Sequence, residues 1–174
     1  MTIPLDPAEP DRLRILRGSG LLDAKPSPAI DAICLEAQRH FGVATALVTL
    51  LDEDWQTFKA KQGIDLNGTV RELAFCNYTI LADAVFVVPD AASDPRFAQN
   101  LLVTGPPFIR FYAGGPLVFQ AGIRLGALCL IDPKPRNFSL GDCAELLEMA
   151  ERVVDVIAAE WFGTKTTEGA SPTS

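Results

Sequence analysis

A nearly continuous apolar run without charge occupies residues 43–51 and ends at the acidic triplet 52–54. Such a run is typical of a strand that is buried on both faces, so it predicts a central strand, and the acids predict a turn. Residues 55–61 then alternate, with Trp55 and Phe58 as the large groups, and predict the returning strand of a hairpin.

Three further runs rich in β-branched and aromatic residues predict strands at 85–88, 108–119 and 124–132. The loop 89–107 between the first two is longer than a compact domain usually keeps without a purpose. Because it is rich in Pro and aromatic residues, we expect an ordered cover over the sheet. Before these strands, residues 64–73 are predicted to form a polar loop and residues 74–82 a helical or turn-like segment.

A first helix is predicted over residues 7–18, with Asp6 as its N-cap residue and a Pro at its first position. Gly18 or Gly20 is expected to end it. The helix has a narrow apolar edge, and its arginines are expected to form a solvated face. These arginines are Arg12, Arg14 and Arg17.

Two more helices follow from periodic apolar positions. One begins after Ser27 and ends at Gly42, which suits a C-cap. The other is predicted over residues 139–162, where Ser139 and the acid three residues later resemble a capping box. Residues 164–174 are small and polar and are predicted to be a disordered tail. Helices combined with hairpins predict an α+β fold class, with one domain over residues 1–163 and an antiparallel sheet.

The net charge of −7 argues against a protein that binds nucleic acid or an anionic membrane, since both need clustered Lys and Arg. No apolar run reaches the roughly 18 residues that a membrane span needs. The first residues lack the basic and apolar regions of a secretory signal, so a cytoplasmic protein is expected. We therefore expect small molecules or proteins as partners.

The four cysteines, at positions 34, 76, 129 and 143, show no Cys-x-x-Cys spacing, and His40 is the one histidine. This argues against a zinc site, and we expect no metal site. Scarce histidine also disfavours a Ser-His-Asp or Cys-His arrangement. Cys34 and Cys129 are expected in the core.

Ordered blocks of residues make the chain similar to a known family. They are Asp-Arg-Leu-x-x-Leu-x-x-x-Gly-Leu-Leu-Asp at 11–23, Phe-Gly-Val-x-x-Ala-Leu-Val at 41–48, Trp-Gln-x-Phe-Lys-Ala at 55–60, Ala-Phe-Cys at 74–76, Asp-Pro-Arg-Phe at 94–97, Val-Thr-Gly-Pro-Pro at 103–107, Ile-Arg-Phe-Tyr-Ala at 109–113 and Gly-Ala-Leu-Cys-Leu-Ile-Asp at 126–132. Over roughly residues 10–160, the sequence resembles the GAF domain family.

This resemblance implies a GAF/PAS-like central sheet of five or six antiparallel strands flanked by helices. It also implies a ligand pocket between the sheet and the segments that cover it, and often homodimers formed through the terminal helices. The sequence looks most like the sensor modules of bacterial signal transduction, which usually precede an output domain. We expect a stand-alone module here, with a signalling protein as possible partner.

The candidate ligand-binding residues are Phe75, Cys76, Asp90, Arg110 and Tyr112. Arg110 and Tyr112 are two residues apart on a predicted strand, so their side chains are expected to share a face. They either line the pocket or pair with acids of the long loop such as Asp90. We expect Phe75, Cys76, Arg110 and Tyr112 to surround one cavity that faces this loop.

Three functions are compatible with these residues. The first is a non-enzymatic sensor that binds an unknown small molecule, without a cofactor. The second is a thiol-based redox enzyme of the free methionine sulfoxide reductase type that uses Cys76, whose pKa a nearby cation such as Arg71 would lower. The linear spacing places no resolving cysteine near Cys76, which disfavours it. The third is a structural dimerisation module without a ligand.

A homodimer is expected from the last helix. Its stripe from Val153 to Trp161 is more apolar than covering one sheet face requires, so burial against a second copy through the first and last helices is predicted. Coverage by the first helix of the same chain is the alternative.

Overall fold

A computed structural model describes residues 3–23 and 25–163. Six antiparallel strands form one sheet in the order β3-β2-β1-β6-β5-β4. This confirms the α+β class and the antiparallel sheet. The strands are β1 (Thr45–Leu51), β2 (Trp55–Gln62), β3 (Gly68–Val70), β4 (Phe86–Val88), β5 (Phe111–Gln120) and β6 (Ile123–Asp132).

Strand β1 lies in the middle of the sheet, and all its residues are buried. Val48 and Leu50 contribute to the core on one face, whereas Leu47 and Leu51 contribute to the core on the other. The prediction that the apolar run is buried on both faces is therefore confirmed, because a pleated strand sends successive side chains to opposite faces.

Helices α2 (Pro28–Phe41) and α5 (Leu140–Ile157) pack on one face of the sheet. Helix α2 begins after Ser27 as predicted, and the Ser27 side chain caps it; Gly42, the predicted C-cap glycine, ends it in the left-handed conformation. Ser139 and Asp142 form the predicted capping box at the start of α5. The α-helix ends at Ile157 rather than at residue 162, and Ala158–Gly163 continue as a π-helical segment with a wider turn.

Helix α1 (Glu9–Ser19) begins two residues later than predicted and ends at Gly20, which has a left-handed backbone. Asp6 is not its N-cap residue, because the N-cap is Ala8, and the Asp6 carboxylate accepts from the Ala8 N–H and not from an N–H of the helix. The prediction that Arg12 is solvated is also wrong. Its side chain is 1% exposed and donates to the Leu51 carbonyl, so it is a buried bridge between α1 and the end of β1.

The opposite face of the sheet is covered by residues 64–67, 71–79 and 89–109, which we call the cover. The cover contains α3 (Cys76–Thr79) and α4 (Leu101–Thr104). Backbone hydrogen bonds from Ala91 to Arg110 and from Ile109 to Leu102 order the long loop, so the expected ordered cover is confirmed. The strand β3 was missed within the predicted polar loop, because three residues are too few to show alternation.

The apolar stripe of α5 is covered within the chain. Val153 and Ile157 are fully buried, and Val154 and Trp161 are half-buried against the same core. Helix α2 and strand β5 pack on α5, whereas α1 packs against β6. The surplus apolar surface that motivated a dimer is therefore not found, and the covering helix is α2 rather than α1. The homodimer itself stays a prediction.

The predicted disorder of residues 164–174 lies outside the described residues. Among residues 3–23 and 25–163, no helix combines the length and apolar character that crossing a bilayer requires.

Candidate functional site

A small cavity lies between the sheet and the cover. Its volume, counted as the space open to the centres of water molecules, is about 30 Å³, which is room for about one or two waters. Sheet residues form its floor, and cover residues form its roof and mouth. Its walls are formed by Leu47, Gln56, Phe58, Ile64, Leu66, Thr69, Leu73, Ala74, Phe75, Cys76, Leu102, Pro107, Ile109, Tyr112, Cys129 and Ile131.

Three of the predicted site residues, Phe75, Cys76 and Tyr112, line this cavity. Arg110 and Asp90 do not. Arg110 precedes β5, and its guanidinium donates to the carbonyls of Val103 (2.9 Å) and Ile109 (3.0 Å), so it holds the cover in place. The carboxylate of Asp90 caps the short 3-10 turn that follows it. The expected gathering of four residues around one cavity is therefore wrong for Arg110.

Polar atoms converge on the sulfur of Cys76 at the buried end of the cavity. The Thr49 hydroxyl lies 3.2 Å from Cys76 Sγ and the Tyr112 hydroxyl 3.1 Å. Thr79 Oγ1 lies 2.7 Å from Tyr112 Oη, so it can donate to the phenol while the phenol donates to sulfur. Burial and the neighbouring Cys76 raise the pKa of Tyr112 well above its ordinary value, so its proton stays available.

Cys129 on β6 is the third neighbour of the Cys76 sulfur, with its own sulfur 3.7 Å away. The expectation that no second thiol lies near Cys76 is therefore wrong. Burial works to raise the pKa of Cys76, but hydrogen bonds from Cys129, Thr49 and Tyr112 together lower it. Burial and the adjacent Cys76 raise the pKa of Cys129 well above its ordinary value. The two hydroxyl groups within 3.2 Å of Cys76 Sγ favour Cys76 as the sulfur that carries a negative charge.

Arg71 does not serve Cys76, contrary to the expectation. Its guanidinium donates to both carboxylate oxygens of Glu9, at 2.7 and 3.1 Å, and to the Asn77 side chain at 2.9 Å. Glu9 also pairs with Arg12. Burial works to raise the pKa of Glu9, but the hydrogen bonds from Arg71 and Arg12 outweigh it and lower that pKa.

This buried network joins α1 to the cover next to the cavity. Asn77 follows Cys76 directly in α3, and its amide also donates to the Arg71 carbonyl at 2.7 Å. Sequence reasoning missed Glu9, Asn77 and Cys129 as site neighbours. The one signal for Cys129 in the sequence was its place on a predicted strand, which does not reveal what the sulfur faces.

Metal binding needs several donor side chains together. Over the residues that the structure describes, no group of three or more His, Cys, Asp or Glu side chains is placed to hold a metal ion.

Comparisons with known proteins agree with this architecture. The chain is 39% identical over 153 residues to a cyclic di-GMP phosphodiesterase of Pseudomonas aeruginosa, covering 88% of this chain and 26% of that protein. The chain thus spans about a quarter of that relative's length. Because the match takes in 153 of the 174 residues, it includes the segments that line the cavity, but it leaves most of the relative unmatched.

Solved structures share the fold at low identity. The blue-light absorbing form of the Thermosynechococcus elongatus PixJ GAF domain has a TM-score of 0.65 at 14% identity, covering 96% of this chain and 97% of that one. Free methionine-R-sulfoxide reductase from Neisseria meningitidis, in complex with its substrate, has a TM-score of 0.60 at 17% identity, covering 91% and 95%. The family model for the GAF domain matches residues 26–161, most of the chain, so the protein belongs to the GAF domain family.

Proposed function

We propose that the protein is a non-enzymatic sensor module in bacterial signal transduction that takes a small ligand into the cavity beneath its cover. One observation carries this proposal: the cavity roof is connected by direct hydrogen bonds to the first helix. The connection runs from α3 through Asn77 and Arg71 to Glu9.

The floor and the roof of the cavity differ in their freedom to move. Cys129 and Leu47 belong to β6 and β1, which are hydrogen-bonded to strands on both sides. The roof consists of loops and one-turn helices, whose backbone hydrogen bonds run mostly within the cover and not to a neighbouring strand. Because the cavity holds only about one or two waters, a larger ligand must lift the roof. That movement would shift Arg71 and with it α1.

The family and the relative support a regulatory output. GAF domains are commonly regulatory, and the chain corresponds to about a quarter of a cyclic di-GMP phosphodiesterase. We therefore expect the module to regulate a signalling activity, such as cyclic di-GMP turnover, that lies in a partner or in another domain. A homodimer through the terminal helices would give α1 a second copy to act on. Sedimentation that shows only the 18.8 kDa species at micromolar concentration would contradict the dimer.

A reductase is the second candidate, because Cys129 places a second thiol 3.7 Å from Cys76. Against it, both thiols are at most 1% exposed beneath the cover, so free methionine sulfoxide would reach them only with the roof lifted. We expect no turnover of free methionine sulfoxide by the reduced protein. Turnover that Cys76→Ser abolishes would replace the sensor proposal with the reductase.

Ligand entry can be tested with xenon, an apolar atom that enters dry apolar cavities. Methyl NMR is expected to show shifts confined to the cavity residues, such as Leu47 and Ile131. Ala74→Leu fills the cavity from its wall and is expected to abolish them. Ala92→Leu, the same change at an exposed position of the cover, is the control and is expected to retain them. Wild-type protein without shifts would contradict a ligand site here.

Transmission is tested by amide hydrogen exchange of α1 with and without xenon. Xenon is larger than a water molecule, so we expect its entry to press on the roof and to change exchange in α1 of the wild type. Asn77→Ser removes both hydrogen bonds to Arg71 and is expected to keep the methyl shifts but lose the change in α1. Asn67→Ser, the same change on an exposed loop, is the control. An unchanged response of α1 in Asn77→Ser would refute the route through Arg71.

A further inference from the structure

Cys76 and Cys129 face each other on two different parts of the fold. Cys76 lies on α3 of the cover and Cys129 on the central strand β6, and both line the cavity. Their sulfurs are 3.7 Å apart. An S–S bond is about 2.05 Å long, so closing the pair requires an approach of roughly 1.7 Å. Because α3 is a single turn, it can supply this movement while β6 stays paired with β1 and β5.

The polar neighbours favour thiolate at one of the two sulfurs. Thr49 and Tyr112 each have one hydroxyl proton that can point at Cys76 Sγ. Cys129 donates instead to the Leu47 carbonyl at 3.7 Å or to Cys76. Hydrogen bonds to the charged form stabilise it, and the thiolate is the nucleophilic form of cysteine. Cys76 is therefore the attacking sulfur and Cys129 the resolving one.

The size of the cavity selects the oxidant. About 30 Å³ is open to the centre of a water-sized sphere, enough for about one or two waters. Hydrogen peroxide, with two oxygen atoms, fits this space. Bulkier hydroperoxides would have to displace the roof formed by Leu66, Leu102 and Pro107.

We propose that Cys76 and Cys129 form a redox-active dithiol that hydrogen peroxide oxidises to a disulfide. The Cys76 thiolate attacks one peroxide oxygen, the O–O bond breaks, and the leaving hydroxide takes up the proton that Cys76 released. Cys129 sulfur then attacks the resulting Cys76 sulfenic acid. The S–OH bond breaks, and hydroxide leaves as water with the Cys129 proton. The pair loses two electrons, and peroxide is reduced to two waters.

The disulfide would also move the cover. Drawing Cys76 toward β6 displaces Asn77, its neighbour in α3, and Asn77 holds Arg71 on Glu9 of α1. The redox state of the pair is thus an input to the sensor, a step that rests on the proposed function. Formation of the bond itself does not depend on that function.

The test uses the full reduced chain, treated with hydrogen peroxide, quenched with N-ethylmaleimide and mapped by mass spectrometry. We expect a linked pair of peptides containing Cys76 and Cys129 that has lost two hydrogen atoms and is restored by dithiothreitol. The half-buried Cys143 is the internal standard of oxidant exposure. Oxidation of Cys143 while Cys76 and Cys129 both remain thiols would overturn the proposal, as would a bond that forms only in urea.

Variants separate the two steps. In Cys129→Ser, oxidation of Cys76 is expected to stop at the sulfenic acid, which dimedone traps. Cys143→Ser is the matched control and is expected to form the Cys76–Cys129 bond as the wild type does. If the bond fails to form while xenon still shifts the cavity methyls, the dithiol proposal fails and the sensor stands. If the bond forms in a cavity that ignores xenon, the sensor fails and the dithiol stands.

Discussion

Removing the Glu9 carboxylate is the most informative single perturbation of this fold. Glu9 is 11% exposed at its side chain and pairs with two guanidinium groups that are 1% and 2% exposed, those of Arg12 and Arg71. Glu9→Gln leaves both cations buried without their anion. Breaking a buried ion pair on one side costs about 3–5 kcal/mol, so we expect a loss of this size in the free energy of unfolding.

The matched control is Asp11→Asn on the same helix. Asp11 pairs with Arg14, but their side chains are 67% and 72% exposed, so water already screens the pair. Its loss is expected to cost about 0–0.5 kcal/mol. Urea unfolding, followed by tryptophan fluorescence, measures both. With a slope of about 2 kcal/mol per molar urea, the Glu9 variant should unfold about 1.5–2.5 M earlier than the wild type.

The same carboxylate predicts a dependence on pH. Its hydrogen bonds to Arg71 and Arg12 lower the pKa of Glu9 below its ordinary value of 4.5, against the opposing effect of burial. A carboxylate whose pKa is lower in the folded state stabilises the protein at pH values above its ordinary pKa. This stabilisation is lost as the pH falls through the lowered pKa. The wild type should therefore lose more stability below pH 4.5 than Glu9→Gln. Equal losses, or a Glu9→Gln cost within about 1 kcal/mol of the Asp11→Asn cost, would refute the buried pairing.

Two further substitutions test local features by thermal unfolding. An added Cβ at Gly114 would meet Tyr112 Oη and lie 2.6 Å from Thr79 Oγ1, so Gly114→Ala should cost about 1–3 kcal/mol. At Gly18 of helix α1 an added Cβ meets no other atom among the described residues, so Gly18→Ala should instead stabilise the protein by about 0.5–1 kcal/mol. A gain in stability at both sites would contradict the close packing at Gly114. Ser139→Ala should cost about 1 kcal/mol by removing the cap of α5, and an unchanged melting temperature would contradict the cap's role.

Features that depend on neighbouring residues could be predicted from the sequence. The caps at Ser27, Gly42 and Ser139 act within one helical turn, and the burial of β1 follows from its own apolar run. Most of the sheet follows in the same way, because alternation and turn residues are also local signals. The resemblance to the family implied five or six antiparallel strands, but their order, β3-β2-β1-β6-β5-β4, is known only from the structure.

Features that depend on distant partners could not be predicted. Arg12 donates to Leu51, 39 positions away, and only that contact makes its burial favourable. Cys76 and Cys129 are 53 positions apart, so linear spacing suggested an isolated thiol. From the sequence, an Arg on a short helix is ordinarily interpreted as solvated, and a Cys on a strand as an apolar core residue. Nothing nearby in the sequence distinguishes these cases from an Arg or a Cys that has a distant partner. The candidate site therefore needed the three-dimensional structure.

Because of the strand pairing, any structural change at the cavity is expected to take place in the cover. Strands β1 and β6 are hydrogen-bonded on both sides, so movement of Cys129 would break sheet pairing along two neighbours. Cys76 lies on one helical turn, and its movement disturbs few backbone hydrogen bonds. Oxidation by peroxide should therefore change amide exchange in residues 71–79 and in α1 while leaving β1 and β6 protected. Loss of protection in β6 with an unchanged α1 would show that the sheet, rather than the cover, absorbs the new bond.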